Sequence, residues 1–230
     1  MEKQIFKKPV LEYESFESMP IKKIIDSAKN FIPDWYRKIP QYEMPNEKRT
    51  AKLCVPFLDS FLTGYIVTLP YDIYVKTEDG IPYLYWPNPI PNTPGLRDKP
   101  ADLNLVPAGH HPFEFVWKTN VAWKVPKGYS VLFTHPLNRH DLPFTTLSAV
   151  IDGGLVVSPT NNVPFYVKKD FEGLIPQGTP IAQIIPFRQE KWKSKNKEGL
   201  NKIGQIHNDL ALLVYKGWYK KTFWVKKSYD

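Results

Sequence analysis

A single cysteine, Cys54, in 230 residues excludes an intrachain disulfide and a multi-cysteine zinc centre. It fits a reducing compartment or indifference to redox, and Cys54 is expected to be a buried small hydrophobe. No run of about 18 apolar residues is present to span a bilayer, and the charged start from Met1 to Lys8 is followed by no apolar h-region. A membrane is therefore not an expected partner. Glycine is scarce, 12 residues against 23 prolines, and proline is excluded from central strands and helix interiors. This counts against a helical bundle and predicts short elements joined by many loops. The glycine patterns that cradle phosphates, G-x-x-x-x-G-K-[ST] and G-x-G-x-x-G, are missing, and neither Ser148 nor Ser158 sits in a G-x-S-x-G elbow.

What is present is ample apolar material, 42% hydrophobic with 14% aromatic, enough to bury a core in one large β domain or two small ones. Charge is unevenly placed. Residues 1–187 carry 20 Lys+Arg against 19 Asp+Glu, whereas 188–230 carry 11 against 4. The basic C-terminal segment either meets nucleic acid weakly and without sequence preference, or is a solvated helix beside a neutral core.

Three regions follow: an arm with one helix at 1–45, a β core at 46–187, and a basic helix and tail at 188–230. In the arm, Ile21, Ile24, Ile25, Ala28 and Phe31 recur at helical spacing, with Ser18 and Pro20 at the start and Pro33 at the end. A brief helix is expected near 53–64, with proline at its start and Gly64 at its end. Strands are expected at 65–76 and 83–86 around the turn Glu78-Asp79-Gly80. Seven prolines from 87 to 112 read as a long surface loop. Strand character resumes at 113–117, then at 129–133, 147–151, 163–167 and 181–185, the last bounded by Pro180 and Pro186. Leu200, Ile203, His207, Leu210, Leu213 and Val214 share a face of a final helix, with His207 expected in a packed core. The tail, alternating aromatic and basic residues, reads as an edge strand.

The motifs Pro126-Lys127-Gly128-Tyr129, Val150-Ile151-Asp152 and Ile181-Ala182-Gln183, with Tyr71-Asp72-Ile73-Tyr74 before them, stand in the order and spacing of the dUTPase and dCTP deaminase superfamily. Residues 65–187 resemble that superfamily. The resemblance implies a β-barrel or sandwich, a homotrimer, and an aspartate at Asp152 that activates an attacking water with magnesium present. Three departures count against the activity. Pro136-Leu137-Asn138-Arg139-His140 replaces the phosphate-binding arginine-serine-serine, Gly153-Gly154-Leu155 stands where a base-stacking tyrosine belongs, and the basic tail replaces a glycine-rich closing arm. More of the chain is similar to a protein family of large tailed phages, marine ones included. That similarity rests on Cys54-Val55-Pro56-Phe57-Leu58-Asp59, Gly64-Tyr65-Ile66-Val67, Leu132-Phe133-Thr134-His135-Pro136-Leu137-Asn138-Arg139 and the run from Gly178 to Phe187. It implies an origin and no activity.

The expected protein is thus mainly β, a dUTPase-like barrel or sandwich with an N-terminal helical arm and a C-terminal helix. Its expected role is that of a non-catalytic phage protein for assembly or binding, in the virion or the infected host's cytoplasm, with other phage structural proteins as partners. The alternative is a nucleotide-binding protein or diverged hydrolase with a pocket around Asp152, the one case that calls for magnesium. Asn138, Arg139, His140, Asp141, Asp152 and Gln183 are the ligand-binding candidates, although Asn138, Arg139 and Asp141 also suit a simple turn. Trp35, Tyr36, Phe223 and Trp224 are the candidates for contacts between copies of a homo-oligomer. His110 and His111 are expected as a surface pair, since adjacent residues point to opposite faces of a strand and ligate one metal poorly. No metal site is expected.

Overall fold

The computed structural model describes residues 8–15, 23–87, 93–97, 105–210 and 217–230. Among them the chain runs through β1 (Glu12–Ser15), β2 (Ile25–Ser27), α1 (Asp34–Lys38), β3 (Tyr42–Glu43), β4 (Lys48–Arg49) and α2 (Val55–Leu62). It continues through β5 (Tyr65–Thr68), β6 (Ile73–Glu78), β7 (Ile81–Tyr85), β8 (Gly95–Leu96), β9 (Phe115–Trp117), β10 (Val121–Lys124), β11 (Tyr129–Thr134), β12 (Phe144–Thr146), β13 (Ala149–Asp152) and β14 (Val163–Val167). β15 (Gly173–Ile175), β16 (Pro180–Arg188), α3 (Leu200–Asp209) and α4 (Trp218–Thr222) complete it. The fold is mainly β.

The largest sheet has the order β13-β11-β16-β5-β2, a second β12-β14-β9-β8, and a third β15-β6-β7, with two-stranded β1-β10 and β3-β4 beside them. All pairings are antiparallel. No sheet among the described residues closes on itself, which is compatible with the sandwich rather than the barrel. The core lies between the sheets. Val131, Phe133, Val67, Ala182 and Ile184 of the first are buried with Trp117, Phe144 and Phe165 of the second. Trp117 stacks on Phe165 at 3.6 Å and 6°, with Phe144 edge-on to Trp117 at 5.0 Å, geometries that add to the burial of three large rings. The Trp117 indole donates to Thr146 Oγ1 at 3.1 Å, and that hydroxyl donates to the Ile181 carbonyl at 2.7 Å, so a buried polar relay joins the two sheets.

Local chemistry explains several elements. Asp79 and Gly80, both at positive φ, form the two-residue connection between Glu78 and its partner Ile81, as the primed hairpin turns require. The helix expected near 53–64 is α2, with Pro56 in its first turn. Gly64 follows it at φ +77, where a Cβ would meet the Ile184 carbonyl oxygen at 2.1 Å. Only glycine lets β5 start this close to β16.

Several expectations are overturned. The helix read across 21–31 is instead the edge strand β2 followed by a 3-10 turn, Ala28–Phe31; Ser18, Pro20 and Ile21 lie outside the described residues. Ile24, Ile25 and Ala28 are buried, but by a sheet edge rather than along a helix face. Pro186 does not end the last core strand, because beyond Ile184 β16 has lost β5 and pairs only with β11, leaving Pro186 opposite Val131. The tail forms α4 and no strand. Cys54 is exposed at the start of α2. His207 is exposed, its ring beside Trp218 and Phe223 at 5.3 and 5.5 Å; Leu213 and Val214 lie outside the described residues.

Replacing Gly64 with alanine is expected to lower stability by about 2 kcal/mol or more, from strain at positive φ plus a backbone clash. Gly80→Ala, at similar φ but with nothing within 4 Å, is expected to cost about 1 kcal/mol. Urea unfolding with unchanged m-values checks the pair.

Candidate functional site

The polar run after β11 folds into a tight knot. Asn138, at φ 58, turns the chain and donates its side-chain amide to Ser60 Oγ at 2.8 Å. Arg139 grips Asp141 with two parallel bonds, Nε to Oδ1 and Nη2 to Oδ2, each 2.8 Å, the fork geometry that guanidinium suits. The Trp35 indole donates to the same Oδ1 at 3.1 Å. Burial works against the Asp141 charge, but the Arg139 bonds and charge, with the indole, outweigh it and hold the carboxyl below its ordinary range. An aspartate so engaged stays ionised.

Gln183 lies opposite Thr134 on β16 and is 2% exposed. Its Oε1 accepts from the Leu137 N–H at 2.8 Å, and its Nε2 donates to the Ser60 and Thr63 carbonyls at 3.0 and 2.6 Å. The amide is fully occupied in joining β16, α2 and the loop after β11.

Asp152 sits elsewhere. It pairs with Ser130 at the other end of β11, about 13 Å along the strand from Thr134 at strand rise. It is exposed, and its Oδ1 accepts from Ser130 Oγ at 2.8 Å and Gln189 Nε2 at 3.1 Å. The structure thus brings together Asn138, Arg139, His140, Asp141 and Gln183, and leaves Asp152 apart. A cleft of 430 Å³ lies over the knot, walled by Trp35, Phe57, Asn138, His140 and Asp141. Its wall sets the Trp35 and Phe57 rings beside the Asn138, His140 and Asp141 side chains.

The interface candidates divide. Tyr36 is 2% exposed against Phe57 and Phe61 of its own chain, so it is not available to a second copy. Trp224 donates to both oxygens of the buried Asp59 at 3.0 Å, with Lys227 Nζ 3.5 Å away, and straps the tail to α2. Phe223 is half exposed beside His207 and Trp218. Trp35 is partly exposed at the cleft.

No protein-family model matches the chain, and no curated protein matches it in sequence. Solved structures similar to it include a mutant dUTPase from phage phi11 of S. aureus, at 13% identity and TM-score 0.34 over 82% of this chain and 97% of that one. Two mutants of the dUTPase of Staphylococcus bacteriophage 80alpha, one with dUpNHpp, are similar at 14% identity. They have TM-scores of 0.34 and 0.33, over 82% of this chain and 88% and 96% of theirs. Likeness at this level assigns no activity to the chain.

A second polar cluster was not singled out in the sequence. Glu114, 5% exposed between Phe113 and Phe115, is ion-paired with Arg97 and accepts from the Tyr166 hydroxyl at 3.1 Å. The available signal was a carboxylate inside an aromatic strand, which requires a partner when buried. His110 and His111 are likewise not a surface pair but 7% and 6% exposed, with His110 bonded to the Ala108 carbonyl and Thr145 Oγ1 at 3.0 Å each. Among the described residues no three His, Cys, Asp or Glu side chains converge to hold a metal ion.

His135 links the knot to the core. Its Nε2 donates to the Arg139 carbonyl at 3.0 Å and its Nδ1 accepts from the Thr146 N–H at 3.3 Å, which fixes the neutral tautomer. Burial first, then the His140, Arg139 and Lys168 charges against the opposing Arg139 carbonyl, push its pKa down to about 4. The unfolded chain, near 6.5, therefore takes up this proton first. The contribution is complete above pH 6.5 and is lost as pH falls toward 4, by up to about 3 kcal/mol. His135→Gln is expected to flatten the fall in unfolding free energy between pH 6.5 and 4, leaving the smaller slope from His111, which burial also lowers. Denaturant titrations at several pH values give both slopes.

Proposed function

We propose that the chain is a non-catalytic phage protein that uses its β scaffold for assembly, forming a homo-oligomer through one face of the β15-β6-β7 sheet. The observation that carries this reading is the composition of that face. Leu174, Tyr74 and Tyr85 lie in one cross-strand row, and Lys76 and Tyr83 lie in the next. Leu174, Tyr74, Tyr85 and Tyr83 are 54, 50, 48 and 43% exposed, while Ile73, Val75 and Ile175, pointing the other way, are at most 1% exposed. Side chains alternate across a sheet, so the face opposite Ile73, Val75 and Ile175 carries three tyrosines and a leucine beside the Lys76–Glu78 ion pair, and no described residue covers it. Tyrosines are enriched where proteins meet, and β7 is the outer strand of this sheet among the described residues.

This relocates the contact between copies from Tyr36 and Trp224, which are engaged within the chain. The sequence resemblance to phage proteins supports a place in the virion or the infected host's cytoplasm, with other structural proteins as further partners. The nucleotide-binding alternative places a pocket around Asp152, whose carboxylate is exposed and accepts from Ser130 and Gln189 on one oxygen.

Light scattering is expected to give a mass that is a multiple of 26.7 kDa. Tyr74→Lys combined with Tyr85→Lys is expected to give the single-chain mass with an unchanged circular dichroism spectrum. A wild type that stays monomeric at high concentration, or an oligomer indifferent to both lysines, would remove the proposal.

A further inference from the structure

We propose that segment 189–198 is a single-stranded nucleic-acid arm in which Trp192 stacks on a base and Lys191, Lys193, Lys195 and Lys197 meet phosphates. The arm has a fixed root. Gln189 donates its N–H to the Gly128 carbonyl at 2.9 Å and its side-chain amide to Ser130 Oγ and Asp152 Oδ1 at 2.9 and 3.1 Å. Beyond it the chain has neither helix nor ladder until Leu200, and every residue from 190 to 200 is exposed.

Trp192 is 86% exposed, the most exposed of the large apolar side chains among the described residues. A soluble tail gains nothing from an indole held in water, since an aromatic ring is favoured where its face is covered. The surrounding charge says by what. Lysine stands at every second position, and only Glu190 and Glu198 oppose it. In an extended chain such lysines lie roughly 7 Å apart, spread along a line as a polyanion's charges are. Lysines that track a phosphate backbone, with an aromatic side chain on which bases stack, are the two parts of single-strand recognition without sequence preference. A duplex offers the phosphates but keeps its base faces inside the stack, so Trp192 distinguishes the two. The inference is independent of the tyrosine face.

Fluorescence anisotropy of the full chain with a labelled oligothymidylate, and with a duplex, tests it between about 50 and 200 mM salt. Binding to the single strand is expected to fall with salt at a log-log slope near −3, from four contacts at about 0.7 each. Trp192→Ala is expected to weaken single-strand binding about tenfold and duplex binding not at all. Replacing the four lysines with glutamine is expected to remove most of the slope. Because the segment packs on nothing, all variants are expected to keep the wild-type melting temperature. Absence of oligonucleotide binding at low salt, an unchanged affinity in Trp192→Ala, an equal loss on duplex, or binding to phosphatidylserine vesicles in place of the oligonucleotide would each overturn the proposal.

Discussion

The buried amide of Gln183 is the constraint on which the arrangement depends. Among the described residues β16 is the only strand paired with both β11 and β5, and Gln183 stands in its middle with three backbone groups of two other segments on its side chain. Leaving those groups unpaired in the interior would cost about 1–3 kcal/mol each, so α2, the Gly64 turn and the loop after β11 are held to one position. Gly64 allows the approach, Asn138 adds a bond to Ser60, and the relay from Trp117 through Thr146 ties the second sheet to the same strand. A network this fully satisfied rigidifies rather than reacts.

Several carboxylates of the fold are bonded within the chain. Asp141 holds Arg139 and Trp35, Asp59 holds Trp224, and Glu114 holds Arg97 and Tyr166. What the molecule presents outward is different in kind: a tyrosine-rich sheet face, and a lysine-lined arm with an uncovered indole. Asp59 and Glu114 are buried with their partners, whereas Asp141 and Asp152 reach the surface.

The parts of this architecture that were legible in the sequence are those set by local chemistry. The turn at Asp79 and Gly80 needs positive φ, α2 has proline at its start and glycine after its end, and residues 163–167 form a β-rich run that became β14. What failed depended on partners distant in sequence. Ile24, Ile25 and Ala28 fit a helical period, yet the backbone of Ile25–Ser27 was claimed by β5. Asp152 and Asp141 are eleven residues apart, but antiparallel pairing of β13 with β11 carries Asp152 back to Ser130. His110 and His111 looked like loop residues among prolines, and Lys168 and Val167 cover them through an isolated bridge and a backbone bond. The knot at Asn138 to Asp141 was found as a polar cluster, and its role as a turn depended on Trp35 and Ser60, which no local pattern connects to it.

Under the proposed non-catalytic role the chain turns over no nucleotide. The most direct measurement is pyrophosphate release from dUTP and dCTP with magnesium, wild type beside Asp152→Asn. The account predicts release indistinguishable from buffer in both. Release by the wild type that disappears in Asp152→Asn would contradict it and restore the diverged-enzyme reading.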